Sequence, residues 1–266
     1  MKISDLLGAV MQSGMAPSST DRVKNSLGGG GALEGLAGLL GGASGGRSQS
    51  PLAGLAGAGA KGGGLLGNIL GEVSQAVGGQ QNLALGGLGA LAGSLLGGGK
   101  KSMGGAMGGG AMALLGVIAY QALKAHSGKK APVPLGLREP KTAAEKKQLE
   151  KNSEFILKAM INAAKADGQI DEKESRKIIG KIKKTGADDE GLQFIMMEMQ
   201  KPMETGKLIA AAKGKPELAA EMYTASLLAI EVDTPEERHY LKDLASGMGL
   251  DPRVARSIEQ AVGVKT

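Results

Sequence analysis

Cysteine is absent from this 266-residue chain. That removes disulfides, thiolate nucleophiles and Cys-ligated metals, and it fits a reducing compartment. Aromatic residues are nearly as scarce, and none stands before Tyr120. Glycine fills the gap: 36 of the 46 glycines lie in the first 130 residues. A Gly-rich stretch without aromatics offers little side-chain surface to bury and loses much backbone entropy on folding. Residues 1–99 therefore read as a low-complexity region, largely disordered or weakly helical. Leu-Leu-Gly recurs in it at irregular spacing, which excludes a solenoid.

Acidic residues are also scarce in the first half. Residues 1–141 carry 12 basic and 5 acidic residues, a net of +7, whereas the rest carries 20 basic and 21 acidic. The basic excess does not belong to a globular domain, so a nucleic-acid-binding fold is not implied. A basic juxtamembrane segment accounts for it better. The first residues, Met1 to Gly8, lack the apolar h-region of a secretory signal. Residues 3–11 space Ile3, Leu6, Leu7, Val10 and Met11 as a short amphipathic helix, with Ser4 as its cap.

Charge disappears altogether over residues 102–123, between Lys100-Lys101 and Lys124. A run of this length is enough to cross a hydrocarbon core of ~30 Å. Residues 100–130 are thus expected to be a transmembrane segment with basic flanks, Tyr120 lying at the interface. The larger number of Lys and Arg after the run places the C-terminal part in the cytoplasm. Gly104 with Gly108, Gly105 with Gly109, and Gly89, Gly93 and Gly97 repeat a four-residue small spacing, which would let helices pair in lipid as a homo-oligomer.

After a Pro-rich linker at 131–141, the pattern changes to helices. Thr142 with Glu145 forms a capping box, followed by a stripe of Phe155, Ile156, Met160, Ile161 and Ala164. Asp171 caps a second helix that Gly186 ends. Asp188 or Asp189 begins a third, Thr205–Lys213 gives a short one, and Pro216 starts a long one carrying Leu218, Met222, Ala225, Leu228 and Ala229. Thr234-Pro-Glu-Glu237 opens another and Asp251-Pro252 the last. No strand pattern competes. Residues 142–266 are expected to form an all-α domain of six to seven helices.

Two helix–turn–helix halves in this domain carry acids at their turns: Asp167, Asp171 and Glu174 in the first, Glu231 and Asp233 in the second. If the halves pack about a pseudo-twofold axis, these oxygens suit Ca²⁺ or Mg²⁺. Each acid also serves as an ordinary turn or cap residue. An EF-hand is excluded, since Gln169 and Glu172 stand where that loop needs an acid and a Gly. The chain has no phosphate-loop motif and no His-Glu-x-x-His. His239, beside Glu236 and Asp243, reads as a solvated pair. These observations favour a protein that is not an enzyme.

The segments Ala164–Glu174, Ala225–Arg238 and Leu244–Pro252 resemble the TerB-like tellurite-resistance fold, and the chain is most similar to YebE-type bacterial inner-membrane proteins of unknown function. The resemblance covers about residues 142–264. It implies an all-helical domain whose acidic turns bind metal, with Asp167, Asp171 and Glu174 filling the first motif. Glu231 and Asp233 stand where other TerB-like domains carry an Asp-Gly turn. The leading expectation is a membrane-anchored, non-catalytic cytoplasmic module that binds an unknown protein partner and, weakly, a divalent metal. The alternatives are a membrane protein self-associating through its glycine faces and a metal-dependent hydrolase.

Overall fold

The computed structural model describes residues 2–13, 22, 103–127, 131–138, 140–168, 170 and 172–264; of residues 103–109 and Lys173 it describes the backbone alone. Within residues 1–99 the structure describes only 2–13 and 22, so Gly89, Gly93 and Gly97 lie outside the described residues. Among those described, the chain is all-helical, with nine α-helices and no strand. They are α1 (Ile3–Ser13), α2 (Met103–Ser127), α3 (Ala143–Ala163), α4 (Glu172–Lys184), α5 (Asp189–Gln200), α6 (Thr205–Ala212), α7 (Pro216–Ala229), α8 (Pro235–Met248) and α9 (Pro252–Val262). A 3-10 turn at Leu135–Leu137 joins α2 to α3.

The helix starts lie where the capping residues place them. Thr142 accepts from the Glu145 N–H at 3.1 Å while Glu145 reaches back to the Thr142 N–H at 3.3 Å. Thr234 and Glu237 repeat the arrangement at 3.2 and 3.1 Å. Asp188 accepts from the Gly191 N–H at the start of α5, and Asp251 from the Arg253 N–H at the start of α9. Each bond satisfies an amide that the helix itself leaves open. Gly249 ends α8 with φ at 73°, a left-handed value that a side chain would resist.

Two expectations at the N-terminal side are corrected. Ser4 does not cap α1 with its own oxygen. It lies within the first turn, and its hydroxyl and N–H donate to the two carboxylate oxygens of Glu150 on α3, at 2.8 and 3.2 Å. The cap comes from a distant helix, and its negative charge suits the N-terminal end of α1.

The larger correction concerns α2. No helix among the described residues is long and apolar enough to cross a membrane. Glycine and alanine dominate the first half of α2, so the absence of charge does not amount to strong hydrophobicity. The helix lies in the core instead. Met112, Leu115, Ile118, Ala119 and Leu123 are buried, and Tyr120 is buried rather than at an interface. Helices α1, α7 and α9 and the 3-10 turn pack around it. A helix apolar on all sides is either a membrane span or a core helix, and here neighbouring helices take the place of lipid.

Helix α7 is the other central element. It packs on α2, α3, α8 and α9, and every residue from Leu218 to Ala229 is buried. The Pro-rich segment is not a free spacer. Leu137 is fully buried, and Gly136 lies against the backbone of α2, where a Cβ would stand 2.7 Å from the Met112 carbonyl oxygen.

The core therefore runs across residue 141. A fragment beginning there loses α1, α2 and the 3-10 turn and exposes the apolar faces of α3, α7 and α9 that they cover. Circular dichroism melting should show the 142–266 fragment unfolding well below the full chain, or aggregating. Equal melting temperatures would show the C-terminal helices to be self-sufficient.

Candidate site at the acidic turns

The two acidic turns leave from neighbouring helix ends. Near the C-terminus of α3, the Ala159 carbonyl accepts from Ser226 of α7 at 3.4 Å and from the Tyr240 hydroxyl of α8 at 3.2 Å. Burial pushes the Tyr240 phenol up, so it stays a donor. Helices α3 and α7 thus end side by side, followed by residues 164–171 in one case and 230–234 in the other.

The first turn is fastened by a cation of the chain itself. Lys165 is buried, and its ammonium donates to the Lys201 carbonyl at 2.8 Å and to the Glu198 carbonyl. These carbonyls close α5, where a helix concentrates partial negative charge. Burial pushes the Lys165 ammonium down, while Glu198 acts in the opposite sense. Asp167 and Glu174 are exposed. Asp171 lies outside the described residues.

Guanidinium groups occupy the second turn. The buried Arg22 donates to the Leu227 carbonyl near the end of α7. Burial works against its charge, and Glu231 and Glu237 support it. Arg238 donates to the carbonyls of Val232 and Asp233 at 3.2 and 3.0 Å. The Asp233 N–H donates to Glu237 at 3.1 Å, so Glu237 is committed to the start of α8. The Asp233 side chain is exposed and Glu231 half-buried.

Of the five acids expected from the motif, the four described, Asp167, Glu174, Glu231 and Asp233, do not come together as a set. Among the described residues, no group of three or more Asp, Glu or His side chains could hold a metal ion. The carbonyl oxygens that a hard cation would use at the second turn already accept from Arg238. His239 pairs with Asp243 at 3.2 Å, both exposed, one helical turn apart.

Sequence reasoning missed three residues that matter here. Arg22 and Lys165 act on carbonyls far along the chain, and no local pattern reveals such a partner. Glu221 did leave a signal. It falls three residues after Leu218 and four before Ala225, inside the apolar stripe of α7. It is fully buried, with no hydrogen-bond partner for either oxygen.

Among the described residues, the fold defines an all-helical protein. A family model described as "Protein of unknown function (DUF533)" matches residues 78–262, and the chain belongs to that family. It is 27% identical over 127 residues to a Yersinia enterocolitica protein described as "Uncharacterized protein in ampR 5'region". That match covers 48% of this chain and 91% of the relative. No solved structure matches.

Arg22→Ala should leave the Leu227 carbonyl without this donor, and Glu231 and Glu237 without their cation, at a cost of about 1–3 kcal/mol. Thermal melting of the full chain reads it. An unchanged melting temperature would show that the Arg22 contact contributes nothing. In the same assay, millimolar Ca²⁺ or Mg²⁺ should leave the wild-type melting temperature in place, since the described residues hold no preformed set for it. A rise of several degrees, lost in Asp167→Asn, would instead assign an ion to the turns.

Proposed function

We propose that the chain is a non-catalytic binding or scaffold module that docks a protein partner on the C-terminal end of α5. Three large apolar side chains stand exposed there: Met196 at 40%, Met197 at 54% and Met203 at 44%. This exposed methionine surface carries the reading. Methionine is flexible and polarizable, and it recurs on surfaces that adapt to a partner's shape. Nearby Lys201, paired with Glu198, gives the patch a charged edge, the arrangement of an apolar centre with a polar rim.

A YebE-type role at the bacterial inner membrane, with the helical body in the cytoplasm, belongs to the same proposal. Its support is the net charge of +7 in residues 1–141, which suits an anionic lipid surface. The attachment is then electrostatic and does not use α2 as a span.

A photo-crosslinking residue at position 197, introduced in the full chain in cells, should yield one discrete adduct. The same residue at 243, on the exposed face of α8, should yield none. The adduct should vanish when Met196 and Met203 are replaced by Ser. Adducts of equal yield at both positions, or none at 197, would exclude the docking surface. Recovery of the chain in the soluble fraction at low salt would separately exclude the membrane attachment.

A further inference from the structure

The docking reading leaves Glu221 unused, and Glu221 is the most unusual side chain in the core. It sits on α7 with 0% exposure, and neither carboxyl oxygen has a hydrogen-bond partner. Its surroundings are apolar and close. A Cβ on Gly116 of α2 would stand 3.4 Å from Oε1 and 2.9 Å from Cγ of Leu137. Glu221 therefore faces the backbone of α2, with the buried Leu137 beside it.

The charged groups on the surrounding helices do not neutralise it. On its own helix Glu217, one turn earlier, repels a second negative charge. On α2 the titratable groups are Tyr120, Lys124 and His126, and none bonds Glu221; His126 is 2.9 Å from Ser257. On α9, Glu259 accepts from the Tyr223 hydroxyl. On α3, Glu150 accepts from Ser4 and Lys158 pairs with Glu154. On α8, Tyr240 donates to Ala159, and on α6, Lys207 pairs with Glu204. An ionised Glu221 would be an uncompensated anion in an apolar contact, which is among the costliest states a core residue can take.

We propose that Glu221 is a proton-binding latch between α7 and α2: with its proton on, the neutral carboxyl lets α2 pack against it, and with its proton off, the buried anion releases α2 together with α1, which packs on α2. The released surface would be the apolar face of α2 from Ala111 to Leu123, now buried. This device does not rest on the docking surface at Met196, Met197 and Met203, and either can fail without the other.

Burial, and after it Glu217, push the Glu221 carboxyl up to about 8 in the closed state. In the opened state it is hydrated and returns to the ordinary carboxylate range near ~4.3. Between those limits the closed state holds a proton that the open state has lost, so raising the pH favours opening, by about tenfold per pH unit. Below the lower limit both states are protonated, and above the upper one both are ionised, so the dependence is confined to that window.

Hydrogen–deuterium exchange of the full chain at pH 5, 6, 7 and 8, corrected for the intrinsic exchange rates, tests the latch. The opening constant of α2 amides between Ala111 and Leu123 should rise about tenfold per unit in the wild type and stay flat in Glu221→Gln, which keeps the shape without the charge. The opening constant of α8 amides near Leu244 should rise far less than that of α2. A flat wild-type profile overturns the proposal whether or not the variant folds. So does an equal slope in Glu221→Gln, which would assign the proton elsewhere, or an equal rise in α8, which would make the opening global.

Discussion

A chain with five aromatic residues in 266 closes its core by bringing backbones together. Large rings usually fill the space between helices. Here Gly and Ala let α2 approach its neighbours, and the fit leaves no slack. Gly136 lies against the Met112 carbonyl, and Gly116 lies against Leu137 and Glu221. Close approach of this kind does not tolerate added volume. It also requires a helix that is uncharged on every side, and Ala111 to Leu123 meets that requirement. The remaining architecture follows from enclosing this helix: α7 and α9 cover it from the C-terminal part of the chain, and α1 covers it from the N-terminus.

The same requirement explains what could and could not be read from the sequence. Capping boxes at Thr142 and Thr234, the cap at Asp188 and the glycine at Gly249 are local, so helix boundaries after residue 142 were legible. Helix α2 was legible as a helix but not as a core element. A segment without charge or a polar face is written alike for lipid and for protein surroundings. What decides between them is the presence of partners, and those partners stand about a hundred residues away on either side. The reading of α2 as a span failed at this point because Gly-rich composition weakens hydrophobicity while leaving close packing unimpaired.

Long-range polar contacts were illegible for a related reason. Glu150 serves Ser4, Lys165 serves the end of α5, and Arg22 serves the end of α7. In each case a charge meets the open end of a helix that is remote in sequence. The acids at the turns could be read locally, and the reading of Thr234 to Glu237 as a helix start holds in the structure. The step from acids at turns to a shared metal site needed geometry, and among the described residues the acids do not converge.

These helix ends share one electrostatic logic. Carboxylates sit at N-terminal ends: Glu150 on α1, Glu145 on α3, Glu237 on α8. Cations sit at C-terminal ends: Lys165 on α5 and Arg22 on α7. The macrodipole favours both placements, and both satisfy backbone groups that helices leave open. The chain holds its two halves with its own charges, and Glu221 departs from that rule. It lies in the middle of α7, away from either end, where neither the dipole nor an open backbone group can compensate a charge. The physics that makes charges useful at every helix terminus makes this one tolerable only while it is neutral.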